Sequence, residues 1–521
     1  MPPRSGRRLA LRRLHTVSLA AIGALLLILV AARPTGGFRF STSVHEEAGE
    51  LPDPATATAA EAITEGEIPA SGLAIAHRHG ARPLDPDEVG PLPEARQYLT
   101  GMQAGEPTLG VDAAGNVFYQ SMNLEYPASR YMPYVTRSRD EGQTWEDVTP
   151  RIPGDLATIY ANTLDPMLYV DERTGRVFTV QLTTGNCSLV SSSDDRGVAW
   201  TTSTACGPTD HQHVFAGPPR TSETVGYPNV VYYCAIDGGA LAAYGTMTSC
   251  LKSLDGGATW VRTGTPPYQD DPAAGMGIQG VPGHCGGASG HGVVDDDGVI
   301  YLPRGHCAQP YLAISDDEGL TWTRVQVADT GMPSDANYQE NRTGVAVDSE
   351  GNLYYTWPGR DRLPYLSTST DGGATWSEPM MIGPPGLTEA TLTEIDVREP
   401  GRVAIAYIGS ENAPGGEAPD GFGPEYNGST WNGYVTMTTD GLADDPIFFS
   451  ASVNPRSDPL VRGACGIFRC AQVLDFIDVV IGPDGTPWTS MVDGCPNATT
   501  TCPNVGLGIV GRLVGGPISS S

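Results

Sequence analysis

The chain has 521 residues, with 60 acidic against 31 basic side chains and a formal net charge of -29 at pH 7. So acidic a chain offers no electrostatic footprint for nucleic acid, which excludes that class of partner. Ten cysteines fit an oxidising compartment, and no Cys-x-x-Cys is present to suggest a zinc ribbon.

Residues 1–32 differ in character from everything after them. Arg4, Arg7, Arg8, Arg12 and Arg13 precede an uncharged apolar run from Val17 to Ala32, the layout of a signal peptide or an uncleaved signal anchor. Either form implies export, with the membrane touched only through this segment. Residues 33–70, dominated by Ala, Thr, Glu and Pro over most of their length, cannot bury enough surface to offset ordering and read as a linker. The globular part is expected over 71–513, followed by a short tail over 514–521, and we expect a monomer.

Within the globular part, short apolar strands recur in pairs around Asp- or Gly-bearing turns. Examples are Thr108-Leu109-Gly110-Val111 with Phe118-Tyr119, Met167-Leu168-Tyr169-Val170 with Val177-Phe178, and Val345-Ala346-Val347 with Leu353-Tyr354-Tyr355. A third strand, such as Tyr311-Leu312-Ala313-Ile314, runs into an eight-residue word, and a fourth leaves it. Four antiparallel strands per repeat make a propeller blade. Units beginning near Glu106, Asp165, Val214, His291, Arg342, Leu392 and Asp475 give an all-β, seven-bladed propeller, with six blades as the alternative count. The last unit has only three strands of its own, so a segment ahead of the first blade, such as Leu73-Ala74-Ile75-Ala76, is needed to complete it and close the ring.

The word is Ser253-Leu254-Asp255-Gly256-Gly257-Ala258-Thr259-Trp260. It recurs around Asp140 and Trp145, Asp317 and Trp322, Asp371 and Trp376, and more weakly around Asp195 and Trp200; successive tryptophans lie 55, 60, 62 and 54 residues apart. Its Asp can accept from following backbone N–H groups, its fifth-position Gly supplies a positive φ, and its Trp anchors the loop. The pattern Ser-x-Asp-x-Gly-x-Thr-Trp resembles the Asp-box, or bacterial neuraminidase repeat, and the chain is similar to sialidase-superfamily propellers. The resemblance implies that these turns lie on the face opposite a glycan site. The functional face is then the one carrying the loops between second and third strands and the connections between blades; we call it the upper face.

The cysteines sort to that face and fall as sequence neighbours: Cys187 with Cys206, Cys234 with Cys250, Cys285 with Cys307, Cys465 with Cys470, and Cys495 with Cys502. Sequence alone does not prove the pairing. The long insertions Thr263–Gly290 and Gly409–Asn432 also map there, the second carrying Tyr426 and Trp431 as candidates to stack on a sugar.

A retaining sialidase needs three arginines for a carboxylate, a Tyr paired with a Glu, and an acid/base Asp, so the resemblance directs attention to arginines in upper loops. Arg304, Arg342, Arg360 and Arg362 are candidates, whereas Arg151-Ile152-Pro153 precedes its strand instead of opening it. At the inner blade ends stand Glu106, Asp165, His211, His213, His291, Glu340, Glu394, Asp475 and Asp478. Among them Glu340 beside Arg342, with Asp165, Glu394 and Asp475, are the candidate catalytic groups. His211, His213 and His291 could bind zinc, and the acidic ends could hold calcium, although no cofactor is required. The expectation is an exported, sialidase-like glycoside hydrolase; the alternative is a non-catalytic propeller that binds a glycan or a protein partner.

Overall fold

The recurring strand pairs form antiparallel ladders, and the described residues assemble seven sheets. The computed structural model describes residues 68–69, 74–80, 82–122, 133–151, 163–183, 187–237, 247–271, 285–286, 288–332, 343–415, 424–463, 465, 473–495 and 506–518. The inner strands of blades 1 to 7 are Thr108–Val111, Thr163–Asp171, His213–Gly217, Val293–Val294, Gly344–Val347, Glu389–Val397 and Asp478–Ile481. Each packs on the next, and the seventh packs on the first. That closed circuit fixes the count at seven, the favoured reading, and each blade opens where the sequence places it.

Close packing between blades explains the small residues in the inner strands. A Cβ on Gly110 would lie 2.5 Å from Val170 of blade 2, and one on Gly217 would lie 2.4 Å from Val294 of blade 4. The second strands, such as Val230–Ile236, are buried along their whole length between neighbouring sheets, so they read as continuous apolar runs instead of alternating ones.

Ring closure is made by a segment other than the one expected. Glu94–Gln103 pairs with Leu507–Val514 as the outer strand of blade 7, while Ala74–Arg78 pairs with Phe448–Ser452 and extends blade 6. The reason is length and pattern: the ten-residue strand buries Ala95, Tyr98 and Thr100 and places Tyr98 on Trp488, with ring centroids 6.1 Å apart.

The five eight-residue turns share one hydrogen-bond plan. In the copy that starts at Ser253, Ser253 Oγ donates to Asp255 Oδ1 at 2.7 Å and accepts from Gly257 N at 2.8 Å. Thr259 N and Oγ1 donate to the two Asp255 oxygens at 2.8 and 2.7 Å. Positive φ occurs at the fourth position as well as the fifth, at Glu141, Arg196, Gly256, Glu318 and Gly372, so three of the five turns hold a non-glycine residue in the left-handed region.

Three expected disulfides are present, Cys187–Cys206, Cys234–Cys250 and Cys285–Cys307. Cys465 and Cys495 are also disulfide-bonded, while Cys470 and Cys502 lie outside the described residues, as do the leader and nearly all of the expected linker. Among the described residues no helix is long and apolar enough to cross a membrane.

Candidate functional site at the upper rim

Inner strands enter from the upper face, so the residues that begin them ring the mouth of the central channel. Six residues at these openings depart from ordinary backbone geometry: Glu106, Asp165, Asp210, His211, Leu392 and Leu474 have φ of 54, 46, 77, 49, 56 and 65°. Non-glycine residues in this region cost free energy and persist where the surroundings enforce them. Here the enforcement is a chain of contacts. Glu106 accepts from Asp165 N at 3.2 Å, Asp165 accepts from His211 N at 3.3 Å, and the Gln212 amide donates to the Asp165 carbonyl.

The chain of contacts gathers Asp165, His211 and Asp475 around the Asp210 carboxyl. Asp475 Oδ2 lies 4.0 Å from His211 Nε2, and Phe476 meets the same ring edge-on at 5.2 Å between centroids. Burial pushes the Asp210 carboxyl up to about 6; His211 pulls it down, and the charge of Asp165, a hydrogen bond with Asp165, and Asp475 add to the rise. Asp165 and Asp475 are buried, whereas Asp210 and His211 are half-buried and reach solvent. A half-exposed carboxylic acid beside two further carboxyls is equipped to give a proton to a ligand on the upper face.

Just inside lies a second cluster. His291 Nδ1 is 3.8 Å from Glu394 Oε2 and 3.9 Å from Asp478 Oδ1, its Nε2 is 3.1 Å from Met167 Sδ, and its ring is 4.6 Å from that of His213. Burial holds Glu394 well above the usual carboxylate range, with Asp478 adding to the shift. Asp478 is pushed up to about 8 by burial, against hydrogen bonds from Leu109 N and Val479 N. Burial lowers His291 to about 4, and burial followed by His291 lowers His213.

The structure thus unites Asp165, His211 and Asp475 in one group, and Glu394, His213 and His291 in a second. His213 Nε2 donates to the Ser289 carbonyl at 2.7 Å. Among the described residues one trio of metal-capable atoms lies within 4.8 Å, Cys285, His306 and Cys307, and its two cysteines are joined to each other.

The candidate sugar-binding side chains are differently placed. Trp431 is fully buried and donates its indole N–H to Gly463 O at 2.8 Å. Tyr426, 1% exposed, donates to Glu389, which also receives Arg362 Nη1 at 3.1 Å. Arg304 is fully buried, lies 5.1 Å over the Tyr268 ring and donates to Thr248 Oγ1. Neither aromatic ring has a face free for a sugar, and Arg304 and Arg362 serve different local clusters. Arg360 is exposed, and Glu340 and Arg342 lie outside the described residues. Sequence reasoning passed over Asp210 as a candidate, although its place directly before His211 was the available signal.

No family model matches the chain, and no curated protein matches it. Solved structures with a similar fold include a Dyadobacter fermentans protein of unknown function, at 13% identity over 80% of this chain and 97% of that one, with a TM-score of 0.38. A Penicillium chrysogenum alpha-L-arabinanase complexed with arabinobiose is 14% identical over 68% and 94%, with a TM-score of 0.38. The NanB sialidase of Streptococcus pneumoniae is 12% identical over 63% and 69%, with a TM-score of 0.39. These are likenesses of fold. The class defined by the chain's own topology and repeated turns is a β-propeller of four-stranded antiparallel blades.

Proposed function

We propose that this chain is an exported glycoside hydrolase working at the upper rim, and the observation that carries the reading is the Asp165–Asp210–His211–Asp475 group. Asp210, raised to about 6, gives its proton to the glycosidic oxygen as the bond to the sugar breaks. Asp475, beside His211, takes the proton of the attacking water, so that water is added across the bond with Asp210 left ionised and Asp475 protonated; return of that proton from Asp475 to Asp210, through His211 or solvent, restores both carboxyls. Two carboxyls flanking the scissile bond are the common requirement of this chemistry. Asp165 positions Asp210 through their shared hydrogen bond and through its contact with the His211 backbone. No resident cofactor enters the scheme.

The resemblance carried by the eight-residue turns favours a sialoside. Against it, Arg304 and Arg362 are engaged elsewhere, which favours a neutral sugar or the non-catalytic alternative. The test is turnover of a panel of aryl glycosides that includes a sialoside and an arabinofuranoside. Release of the aryl group by the wild type and its loss in Asp210→Asn support the proposal. Binding on a glycan array without turnover of any substrate would establish the non-catalytic reading instead.

A further inference from the structure

Below the rim, the inner strands enclose a central channel of about 400 Å³. Its upper end is marked by Met167, His291 and Asp478, its waist is lined by valines such as Val345 and Val479, and Asp396 stands in its wall. At the lower end stand Glu172, Arg173 and Asp296, whose side chains reach solvent on the face away from the proposed hydrolytic site. The channel is unused by that chemistry.

Its electrostatics are one-sided. Glu394 is 7% exposed, its carboxylate has no hydrogen bond among the described residues, and its neighbour is the channel-lining His291 at 3.8 Å. Asp478 accepts two backbone N–H bonds and no cation among the described residues. Asp396 accepts from Ile481 N at 2.6 Å and keeps part of its surface facing inward. The arginines near the lower mouth are already committed, Arg173 to Asp296 and Arg398 to Glu172. Burial raises all three carboxyls, with Asp478 adding to the rise at Glu394 and Glu172 to that at Asp396, where backbone N–H groups and Arg398 oppose it.

Spacing selects the kind of cation. Glu394 and Asp396 are two residues apart on one strand, which separates their levels along the channel by roughly 6–7 Å, and apolar side chains line the space between. The carboxyl oxygens near 3.8 Å from His291 do not converge as metal ligands must, and a hydrated divalent ion would have to shed its water against valine. A slender chain with a charge at each end and methylenes between matches both features.

We propose that the central channel is a binding site for an aliphatic diamine or polyamine, entering from the lower mouth. One ammonium lies at the level of Glu394 and Asp478, the methylenes lie along the valine waist, and a second ammonium meets Asp396. Net negative charge around a low-dielectric channel concentrates such cations at its entrance.

Titration calorimetry of the full chain with putrescine and with spermidine tests this. Saturable binding is expected with roughly one ligand per chain, together with proton release at pH 7, seen as a heat that depends on the buffer. Asp396→Asn and Glu394→Gln should each weaken binding roughly tenfold, equivalent to about 1.4 kcal/mol, and hydrolysis at the upper rim should remain in Asp396→Asn. Should Glu394→Gln fail to fold, Asp396→Asn carries the test alone. Absence of saturable amine binding, binding that both variants retain at full strength, or calcium binding in place of amine binding would each overturn the proposal.

Discussion

In the lower-face turn at Ser253, both oxygens of Asp255 receive hydrogen bonds from Thr259, and Ser253 Oγ both donates and accepts. At the upper rim, Asp165, His211 and Asp475 act together on Asp210, whose carboxyl is pushed up to about 6. Both regions contain aspartates beside residues of positive φ, yet the outcome is opposite. In blade 5, Asp371 is held at about 2, first by the Thr375 hydroxyl and then by the Thr375 N–H and Ser369. Donors aimed at a carboxylate make it a structural clamp, whereas buried carboxyls facing one another are left to exchange protons. The chemical identity of the residue decides little here, and the direction of the neighbouring dipoles decides which face can react.

The contrast breaks most sharply on activity. Asp210→Asn should lower kcat/KM by about a hundredfold or more, the usual range for removing a general acid, without lowering stability. The pH profile follows from sign: an acid whose pKa is raised to about 6 works while protonated, so kcat/KM should fall as pH rises through about 6. Stability linked to the same group is present below its unfolded pKa and declines as pH rises through the folded value. Hence Asp210→Asn should melt at or above the wild-type temperature at pH 8, measured by circular dichroism. A variant that loses activity and melting temperature together would place Asp210 with the structural aspartates instead.

The disulfides hold the upper face together from outside the inner ring. Cys187–Cys206 ties the third and fourth strands of blade 2 at directly opposed positions, and Cys234–Cys250 does the same for the second and third strands of blade 3. The Cys234→Ser, Cys250→Ser double variant should lose about 2–4 kcal/mol in a urea titration. Asp255→Ala, which removes the clamp of one turn while leaving its Trp, should lower the melting temperature by several degrees and leave kcat unchanged. A change in kcat with Asp255→Ala would break the separation between the faces.

Five of the seven blades were legible from the eight-residue word because it is local: its chemistry closes within one turn, so letters and spacing suffice, and the units near Leu392 and Asp475, which lack it, were read from their opening strands. Each inner-strand start was legible for the same reason, as an apolar run ending in a turn. Closure was not, because the pairing of Glu94–Gln103 with Leu507–Val514 joins segments some 400 residues apart, and a local pattern cannot say which of two N-terminal strands wins. The site was half legible. Asp165, His211 and Asp475 stood out by position and chemistry, but Tyr426 and Trp431 sat in a Gly-rich insertion whose burial depends on Glu389 and Gly463 across the blade. Asp210 gained its character only from three neighbours that folding brings to it.

The finest test of the lower face uses the one defective full turn. In blade 2 the seventh position is Ala199, so Asp195 receives the N–H of Ala199 at 2.8 Å and the Ser193 hydroxyl at 2.8 Å but no hydroxyl where Thr144, Thr259, Thr321 and Thr375 supply one at 2.6–2.7 Å. Asp195 is solvent-exposed, so water already serves the vacant oxygen and the net gain from a new bond is small. Ala199→Thr should therefore raise the melting temperature by only on the order of 1 °C. It should also draw the Asp195 carboxyl further below its ordinary range, since a hydroxyl that donates to the ionised form favours that form. Carboxyl titration followed by NMR reads the second effect independently of the first. If Asp195 titrates higher in the variant, the turns are held by backbone shape alone, and the difference between the two faces would have to be assigned to burial instead of to aimed donors.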